Sequence, residues 1–524
     1  MGNEMPLSGR ELREPVGLTR LLGHGLDSHH DELALVSAET RWTWRELDDA
    51  SNRYAAGLLN LGLVRGDRVA SLMPNRAALI IHYLACIKAG LVATPLNYRY
   101  MAPEIDHALE VSGASALLTH TERRDDLSNS RLAGRLPLGI IEYGNSEGGG
   151  TRFEDLEGRD DSRSPSTTPP DSHPAVIFFT SGSTGKPKGV THTHETLGWM
   201  LASAAGGLEL TDRDVMLPGS SMSHVGGFAW SLGALSAGAR LVIARTFDGD
   251  EILPLLRTWR PTVLSMLPAA LFSLVRDHGA THEDFRSLRL CRSGGDKVSS
   301  ELEREFTALT GFPIEEGYGM TETGLATNNP PSGPNKPGSV GRPMPGFSLV
   351  VRDEDGAEVP TGSEGRVWVR SRSNTVGYWK NLPATEELFR DGWLDTGDEM
   401  KTDADGYFWF HGRKKQIIVH DGSNISPQEV EDAVLEHPAV EAAGVVGVHN
   451  LLHGENVRAY VTLKPDVPRP TAQEIIRLAR ERVGYKAPEE IVFLEEIPLN
   501  ATGKVDRVLL KKMAEVHLAG ADAD

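Results

Sequence analysis

The sequence contains few cysteines. Only Cys86 and Cys291 occur among its 524 residues. Two cysteines cannot build a disulfide framework or a zinc ribbon. Cysteine usage this sparse favours a reducing compartment, and we expect a cytoplasmic protein.

Basic residues are outnumbered by acidic ones. The chain has 54 Lys and Arg against 73 Asp and Glu, a formal net charge of −19. A general nucleic-acid binder or a protein of anionic membrane surfaces needs a basic face, so this balance argues against both. Small anionic ligands need only a local positive site and are not excluded.

The sequence also lacks a long uncharged apolar run. The most apolar stretch, residues 77–96, is interrupted by His82 and Lys88. It predicts a buried helix, a break at Gly90 and a buried strand rather than a membrane span. The first 15 residues carry charges and no apolar core, so no secretory signal is expected.

Apolar periodicity predicts alternating strands and helices over the first three fifths of the chain. Helices are expected at residues 43–61, with Thr43 as the cap, and 77–89. Strands are expected at residues 68–73, 91–96, 114–118, 139–143 and 175–179. Such alternation is typical of an α/β fold with parallel sheets.

The remainder of the chain has a different character. Residues 347–352 and 364–370 predict strands of a β-rich segment. The last hundred residues predict a small α+β unit, with helices at 429–436 and 471–483 and strands at 442–448 and 457–463. We place the domain boundary after Gly412, which divides the chain into residues 1–412 and 413–524.

Residues 144–174 are rich in Gly, Ser, Asp, Thr and Pro and have almost no core-forming residues. They predict an exposed connector. The stretch 144–148 matches a G-x-S-x-G nucleophile elbow, but no helix follows it and the glycines continue. We therefore interpret the match as coincidental.

A glycine-rich loop follows the predicted strand 175–179. Its glycines allow close approach of the backbone to a ligand, its hydroxyls can donate hydrogen bonds, and its two lysines supply positive charge. The spacing is not that of a Walker A loop, because Pro187 follows Lys186. A flexible polar loop is the alternative, which the preceding core strand disfavours. The candidate phosphate-binding residues are Thr180, Ser181, Gly182, Ser183, Thr184, Gly185, Lys186 and Lys188.

This loop resembles the signature of the adenylate-forming superfamily, which includes acyl-CoA synthetases, nonribosomal-peptide adenylation domains and beetle luciferases. Further matching motifs occur in order between about residues 43 and 507. The resemblance implies a large N-terminal domain that holds the ATP and acyl sites and a small, mobile C-terminal domain.

The resemblance assigns roles to residues 318–322. It implies that Tyr318 packs on adenine, that Thr321 contacts the α-phosphate and that Glu322 holds Mg²⁺. A carboxylate beside a hydroxyl is a reasonable pair for metal and phosphate. The glycine-containing strand end at Gly294, Gly295 and Asp296 resembles the opposite wall of the adenine slot.

Three later motifs also match. The resemblance implies that Asp398 binds both ribose hydroxyls, a geometry that suits a carboxylate acceptor. Arg413 matches a second ribose contact, and Lys415 matches the hinge. Gly422 belongs to a loop that lines the thiol channel in similar proteins, where Gln416, Asp421 and Ser423 depart from the usual residues.

The segment 498–507 resembles the C-terminal catalytic loop of the superfamily. Lys504 would bridge the substrate carboxylate and the α-phosphate, where a lysine neutralises the charge of two approaching anions. Thr502 and Gly503 are expected to form the tight turn that exposes it.

Two histidine-containing segments have open interpretations. His224 either orients the substrate carboxylate or is a buried, hydrogen-bonded histidine, while Gly226 and Gly227 remove bulk from a predicted acyl pocket wall. His192, His194 and Glu195 could be metal ligands, but their position where a helix is predicted to start favours capping or packing.

The resemblance implies an ATP- and Mg²⁺-dependent ligase that converts a carboxylic acid into acyl-AMP and then into a coenzyme A thioester. We expect small-molecule partners only, and a monomer or a homodimer. The alternatives are adenylation for a separate carrier protein, an enzyme of one half-reaction only, or a nucleotide or acyl-adenylate binding module without turnover.

Overall fold

The structure is a computed structural model. It describes residues 7–145, 150–157, 168–180, 187–295, 298–413, 416, 418–420, 423–450, 454–465, 467–500 and 503–521. The chain divides into two compact units. Unit 1 contains residues up to Val350 together with 368–395 and 405–408, and unit 2 contains residues 351–367, 396–404 and those from Trp409 onward.

An eight-stranded sheet forms the first layer of unit 1. Its strands are parallel except for the two at one edge, which are antiparallel to their neighbours. The strand order is Gly377–Tyr378, Gly189–Thr193, Pro174–Phe179, Val92–Pro95, Arg68–Leu72, Ala116–His120, Ile140–Tyr143 and Thr151–Arg152.

A nine-stranded sheet forms the second layer of unit 1. Its six central strands, from Glu315–Met320 to Leu33–Ser37, are parallel, and the outer ones are antiparallel. The order is Arg342–Pro343, Gly324–Asn328, Glu315–Met320, Leu290–Gly294, Val263–Met266, Val215–Gly219, Arg240–Ile243, Leu33–Ser37 and Arg41–Thr43. The predicted α/β class is confirmed.

Helices connect these strands. The α-helices described in unit 1 are Gly23–His29, Trp44–Asn60, Ala77–Ala89, Ala102–Ser112, Arg124–Ser128, Phe153–Glu157, His194–Gly207, Val225–Ser236, Gly249–Trp259, Pro268–Arg276, His282–Phe285, Ser300–Thr310 and Leu382–Leu388. Short 3-10 turns occur at Leu18–Arg20, Thr121–Arg123 and Ala133–Arg135. Thr43 caps its helix as predicted, since its side chain accepts from the Glu46 N–H and the Glu46 side chain accepts from the Thr43 N–H.

The apolar stretch around residue 80 is a buried helix, as predicted. Every residue of Ala77–Ala89 is buried, and Gly90 ends the helix in the left-handed conformation with φ of 68°. The Lys88 ammonium donates to Asp48 Oδ1 at 2.6 Å and Asn52 Oδ1 at 2.8 Å, so its charge is paired inside the unit. Across the described part of the chain, no helix is long and apolar enough to cross a membrane.

The predicted connector at residues 144–174 is partly wrong. A short strand and the helix Phe153–Glu157 lie inside it, and Phe153 and Leu156 are buried. Phe153 packs against Tyr54 with ring centroids 4.4 Å apart. Two well-placed apolar side chains are enough to anchor a polar segment, and a composition average conceals them. The serine of the rejected nucleophile elbow lies outside the described residues.

Further strands lie outside these two sheets, at Leu7–Ser8, Phe347–Arg352, Glu364–Ser371, Phe389–Arg390, Trp393–Thr402 and Phe408–Arg413. Within unit 1, Leu7 and Ser8 pair antiparallel with Leu349 and Ser348. The two strands predicted in this β-rich region are therefore present, with bounds that agree to within one residue.

The C-terminal part of unit 2 is an α+β structure. Its five-stranded sheet has the order Ser423–Ile425, Ile418–His420, Gly454–Leu463 and Val440–Asn450, with Glu490–Phe493 parallel to Gly454–Leu463. The helices are Pro427–Leu435, Ala472–Val483 and Arg507–Ala521, with a 3-10 turn at Gly484–Lys486. Val430, Val445, Val457 and Ile475 lie in its core. Both predicted helices and both predicted strands of this unit are present.

Candidate active site

The two described ends of the predicted phosphate loop are joined to each other. Thr180 directly follows the buried strand Pro174–Phe179, and its N–H donates to the Lys188 carbonyl at 3.1 Å. The Lys188 N–H donates in turn to Thr180 Oγ1 at 3.3 Å. The backbone is therefore fixed on both sides of the loop. The candidate residues between them, Ser181, Gly182, Ser183, Thr184, Gly185 and Lys186, lie outside the described residues.

Lys188 lies beside an aromatic ring of a neighbouring strand. Its Nζ is 4.6 Å from the centroid of the Tyr378 ring. Tyr378 pairs antiparallel with Val190, which places it against the strand that leaves the loop. A cation over the face of a tyrosine is attracted by the electron-rich ring, so Tyr378 helps to hold the lysine in place.

The same tyrosine contacts Glu322 through its hydroxyl group. Tyr378 Oη donates to Glu322 Oε1 at 2.8 Å, and Glu322 is 6% exposed. The Glu322 backbone carbonyl accepts from the Thr375 N–H at 2.7 Å. Both the side chain and the backbone of Glu322 are thus fixed. One tyrosine links the end of the phosphate loop, through Lys188, to the predicted metal-binding carboxylate.

His192 fixes the neighbouring residue Thr321. Its Nε2 lies 2.9 Å from the Thr321 carbonyl oxygen, and this nitrogen must donate because a carbonyl can only accept. Burial lowers the pKa of His192 to about 4, so the ring is neutral at physiological pH. The helix itself begins at His194 and is capped by Thr193. The interpretation of His192 as a packed residue agrees with this structure, but its role in positioning Thr321 was not predicted.

The two predicted adenine-slot strands are neighbours. Leu290–Gly294 and Glu315–Met320 run parallel, with Gly294 opposite Gly317. A Cβ atom added to Gly317 would lie 2.6 Å from Asn328 Oδ1, so a side chain is excluded there. Gly295 has φ of +88°, which favours glycine. Tyr318 lies on the second strand and is 9% exposed, and Asp296 lies outside the described residues.

His224 immediately precedes the helix Val225–Ser236, as its N-cap residue, and is half-buried. The loop before it is held by Asn75, whose side chain donates to the Ser220 carbonyl at 2.9 Å and accepts from the Met222 N–H at 2.8 Å. His224 is therefore attached to a well-defined loop.

The prediction that both following glycines reduce a pocket wall needs correction. A Cβ on Gly227 would meet the Ser221 carbonyl oxygen at 2.2 Å, so Gly227 is required for backbone packing of the helix against its own loop. Only Gly226 has open space next to it, with nothing within 4 Å of an added Cβ among the described atoms.

The other candidates belong to unit 2. Asp398 is fully buried on the strand Trp393–Thr402, where its N–H donates to Thr396 Oγ1 at 3.1 Å. Arg413 ends the strand Phe408–Arg413. Gly422, Lys415 and Thr502 lie outside the described residues.

Lys504 is exposed at the end of a tight turn in unit 2. The Asn500 N–H donates to the Lys504 carbonyl at 2.7 Å, and the Gly503 N–H donates to the Asn500 carbonyl at 2.9 Å. Gly503 has φ of +82°, which explains the glycine at this position. The turn is held by backbone groups, so the lysine side chain is not needed to form it.

The structure links Lys188 to Glu322 through Tyr378. It also places Gly294 and Tyr318 on adjacent strands of the nine-stranded sheet. Sequence reasoning missed Tyr378, Thr375 and the positioning role of His192, because each acts through a contact with a residue more than 50 positions away. No local signal marks such a residue in a single sequence.

Comparison with known proteins agrees with this architecture. Residues 24–379 match the family described as AMP-binding enzyme, and residues 429–504 match the AMP-binding enzyme C-terminal domain. A feruloyl-CoA synthase of Amycolatopsis is 32% identical over 505 residues, covering 94% of this chain and 96% of the relative. The fatty acid–[acyl-carrier-protein] ligase ScoC of Streptomyces coeruleorubidus is 32% identical over 475 residues, covering 89% and 90%.

The crystal structure of ATP-bound MatB from Rhodopseudomonas palustris superposes with a TM-score of 0.88 at 30% identity, covering 95% of this chain and 99% of MatB. The chain therefore belongs to the AMP-binding enzymes. Within that family it is an AMP-forming acyl-CoA ligase that uses ATP.

Proposed function

We propose that the residues of unit 1 described above carry out the first step of this ligase. An oxygen of the substrate carboxylate attacks the α-phosphorus of ATP, the bond to the pyrophosphate oxygen breaks, and acyl-AMP and pyrophosphate result. Little covalent chemistry falls to the protein, so its task is to position the reactants and to stabilise charge. The observation that carries this proposal is the connection from Lys188 through Tyr378 to Glu322.

The donor set near Glu322 suits Mg²⁺. A carboxylate and the hydroxyl of the adjacent Thr321 are hard oxygen donors, which this ion prefers. We propose that Glu322 holds Mg²⁺, which neutralises charge on the phosphates when it is bound. His192 and Thr375 contribute by fixing the backbone on either side of that carboxylate.

For the second step we propose coenzyme A as the acceptor. Its thiol sulfur attacks the acyl carbonyl carbon and loses its proton to solvent, the bond to the AMP oxygen breaks, and a thioester and AMP form. We further propose that residues 413–524 rotate about Lys415, so that Lys504 serves the first step and the loop of Gly422 serves the second. Such alternation lets one chain perform two reactions.

A separate acyl carrier protein is the second candidate acceptor. The similarity to ScoC, whose name specifies a carrier-protein ligase, favours it, and the departures Gln416, Asp421 and Ser423 fall near the proposed thiol channel. We place the enzyme in the cytoplasm as a monomer or homodimer; both statements are proposals.

The test supplies ATP, Mg²⁺ and a panel of carboxylic acids, and follows pyrophosphate release and thioester formation separately. Coenzyme A and a phosphopantetheinylated carrier protein are offered in parallel. Thioester formation with coenzyme A alone is expected. A thioester on the carrier protein alone would show that the carrier, and not coenzyme A, is the acceptor. Pyrophosphate release without either thioester would show that the enzyme only adenylates its substrate. No turnover at all would contradict the assignment as a ligase.

The nucleotide contact of Asp398 gives a separate prediction. We expect Asp398→Ala to weaken ATP and AMP binding by roughly 10- to 100-fold, because a charge-assisted pair of hydrogen bonds to the ribose is worth about 1.5–3 kcal/mol. The preference among acids should not change. Calorimetric titration with AMP measures the effect.

The matched control is Asp403→Ala, which removes a carboxylate that accepts from Trp409 Nε1 at 3.3 Å in the same unit. It should leave AMP binding unaltered. Thermal denaturation of both variants separates a lost contact from a lost fold, since Asp398 is fully buried. Equal AMP affinity in the Asp398 variant would refute the ribose contact.

A further inference from the structure

An arginine is buried beside the candidate nucleotide wall, on the strand Leu290–Gly294. Arg292 is 5% exposed, and its guanidinium carbon lies 4.7 Å from the centre of the Trp230 ring. Its Nε donates to Asn328 Oδ1 at 3.1 Å. Within the described part of the chain, this is the only hydrogen bond of the side chain. The two terminal amino groups of a buried arginine thus have no protein acceptor there.

The nearest acidic group does not neutralise this arginine. Glu315 is opposite Arg292 on the adjacent strand, but among the described residues the two do not form an ion pair. Instead Asn328 Nδ2 donates to Glu315 Oε2 at 3.2 Å, so the asparagine stands between them. Burial raises the pKa of Glu315 to about 8, which keeps its carboxyl group largely protonated at neutral pH. A buried cation without a counter-charge is costly, which favours an anion from outside the protein.

The amino groups of Arg292 lie between two parts of the candidate active site. They lie beside Gly294, the last residue of its strand, and beside Gly317 on the adjacent parallel strand. A Cβ at Gly294 would be 3.0 Å from Nη2, and one at Gly317 would be 2.8 Å from it. Ligands of open α/β sheets bind at such strand ends. On the other side, Trp230 belongs to the helix that begins directly after His224, the candidate acyl-site residue. Arg292 therefore lies between the nucleotide wall and the helix of the acyl segment.

We propose that Arg292 is a specificity-determining residue that binds a second carboxylate at the end of the acyl substrate remote from the reacting carboxyl group. This inference rests on the proposed function and names its substrate class as dicarboxylic acids. The planar guanidinium offers two parallel N–H groups, which match the two oxygens of a carboxylate. Gly294 and Gly317 leave room for these groups, and Asn328 and Trp230 fix the plane in which they point.

The experiment compares acids in matched pairs of equal length, butanoate with succinate, hexanoate with adipate and 4-methylbenzoate with terephthalate. Pyrophosphate release gives kcat/KM for each. The unmutated chain is expected to prefer the dicarboxylate in at least one pair. Arg292→Leu should lower kcat/KM for that dicarboxylate by roughly 10- to 100-fold and leave the paired monocarboxylate within about threefold. Arg292→Lys should give an intermediate loss, because it keeps the charge and loses the fork.

The matched control is Arg289→Leu, at the residue that directly precedes the strand of Arg292. Arg289 already has a protein partner, with its Nε 2.8 Å from Asp214 Oδ1. Its replacement should lower stability without changing the ratio between paired acids. An Arg292→Leu variant with an unchanged ratio would overturn the proposal. Equal losses for both acids together with weaker ATP binding would also overturn it, because Arg292 would then serve the nucleotide.

Calorimetric titration of the unmutated chain with each acid pair, in the presence of AMP, keeps the two proposals separable. Tighter binding of the dicarboxylate, lost in Arg292→Leu and weakened in Arg292→Lys, supports the arginine even if the chosen acids are not turned over. Absence of pyrophosphate release with every acid counts against the proposed function. Equal binding of both members of every pair counts against the proposed role of Arg292. This outcome is measured on the unmutated chain, so it does not depend on whether a variant folds.

Discussion

Replacement of Lys504 by alanine is expected to abolish acyl-AMP formation and to spare thioester formation from supplied acyl-AMP. The first step brings the substrate carboxylate up to the α-phosphate, and loss of one well-placed cation there is expected to cost roughly 10²–10³-fold or more. The second step has no such approach of two anions. The turn that carries Lys504 is held by the backbone groups of Asn500 and Gly503, so the variant should fold. Two single-step assays measure the effect.

Lys511→Ala is the matched control for this variant. It removes a lysine of the helix Arg507–Ala521, which follows the turn of Lys504, and this lysine is ion-paired with Glu455 at 3.3 Å. The variant should leave both steps unchanged. The opposite pattern is expected when a bulky residue replaces Gly422, because a side chain in that loop would obstruct the thiol and not the nucleotide. Equal loss of both steps in the Lys504 and Gly422 variants would refute alternation of the small domain.

Glu322→Ala should lower pyrophosphate release by roughly 10²–10³-fold at saturating ATP, since a metal ligand and a fixed negative charge are both lost. The Mg²⁺ concentration that gives half-maximal pyrophosphate release should rise as well. Pyrophosphate release across a Mg²⁺ titration measures both. The Thr375 N–H contact to the backbone is independent of the side chain, so the local strand geometry should persist.

Tyr378→Phe distinguishes the role of the Glu322 carboxylate from that of the tyrosine that holds it in place. This variant keeps the ring beside Lys188 and removes only the hydroxyl that donates to Glu322. The rate of pyrophosphate release in this variant should fall by no more than about tenfold, which corresponds to one or two ordinary hydrogen bonds. If Glu322→Ala releases pyrophosphate at the original rate, the metal assignment is wrong. If the tyrosine variant is as inactive as the glutamate variant, then Tyr378 itself belongs to the reacting groups.

The sequence-based predictions were most accurate where one local property decides the structure. The helix Ala77–Ala89 is continuous and apolar between Arg76 and Gly90, so its ends agree with the prediction. The Thr43 cap was also found, because a Thr directly before apolar residues at helical spacing is a local signal. Strand ends differed by a few residues, since pairing partners and not composition determine where a ladder stops.

The site was predictable only as a set of separate motifs. That residues 290–294 and 315–320 are neighbours follows from the sheet order, which no single segment encodes. Tyr378 links Lys188 and Glu322 from a strand of only two residues, too short for a periodic signal. Arg292 illustrates the same limit. Its surroundings come from residues 230, 315 and 328, and its sequence position alone suggests an ordinary strand residue.

The division of the chain into two units has a consequence for synthesis on the ribosome. Unit 2 takes residues 351–367 and 396–404 from the middle of the chain, before unit 1 is completed by residues 405–408. Parts of unit 2 are therefore synthesised before the last residues of unit 1. Residues 351–367 and 396–404 can pack into unit 2 only after the residues from Trp409 onward have been synthesised. A chain that is cut after Gly412 would contain these segments without the remainder of the unit to which they belong.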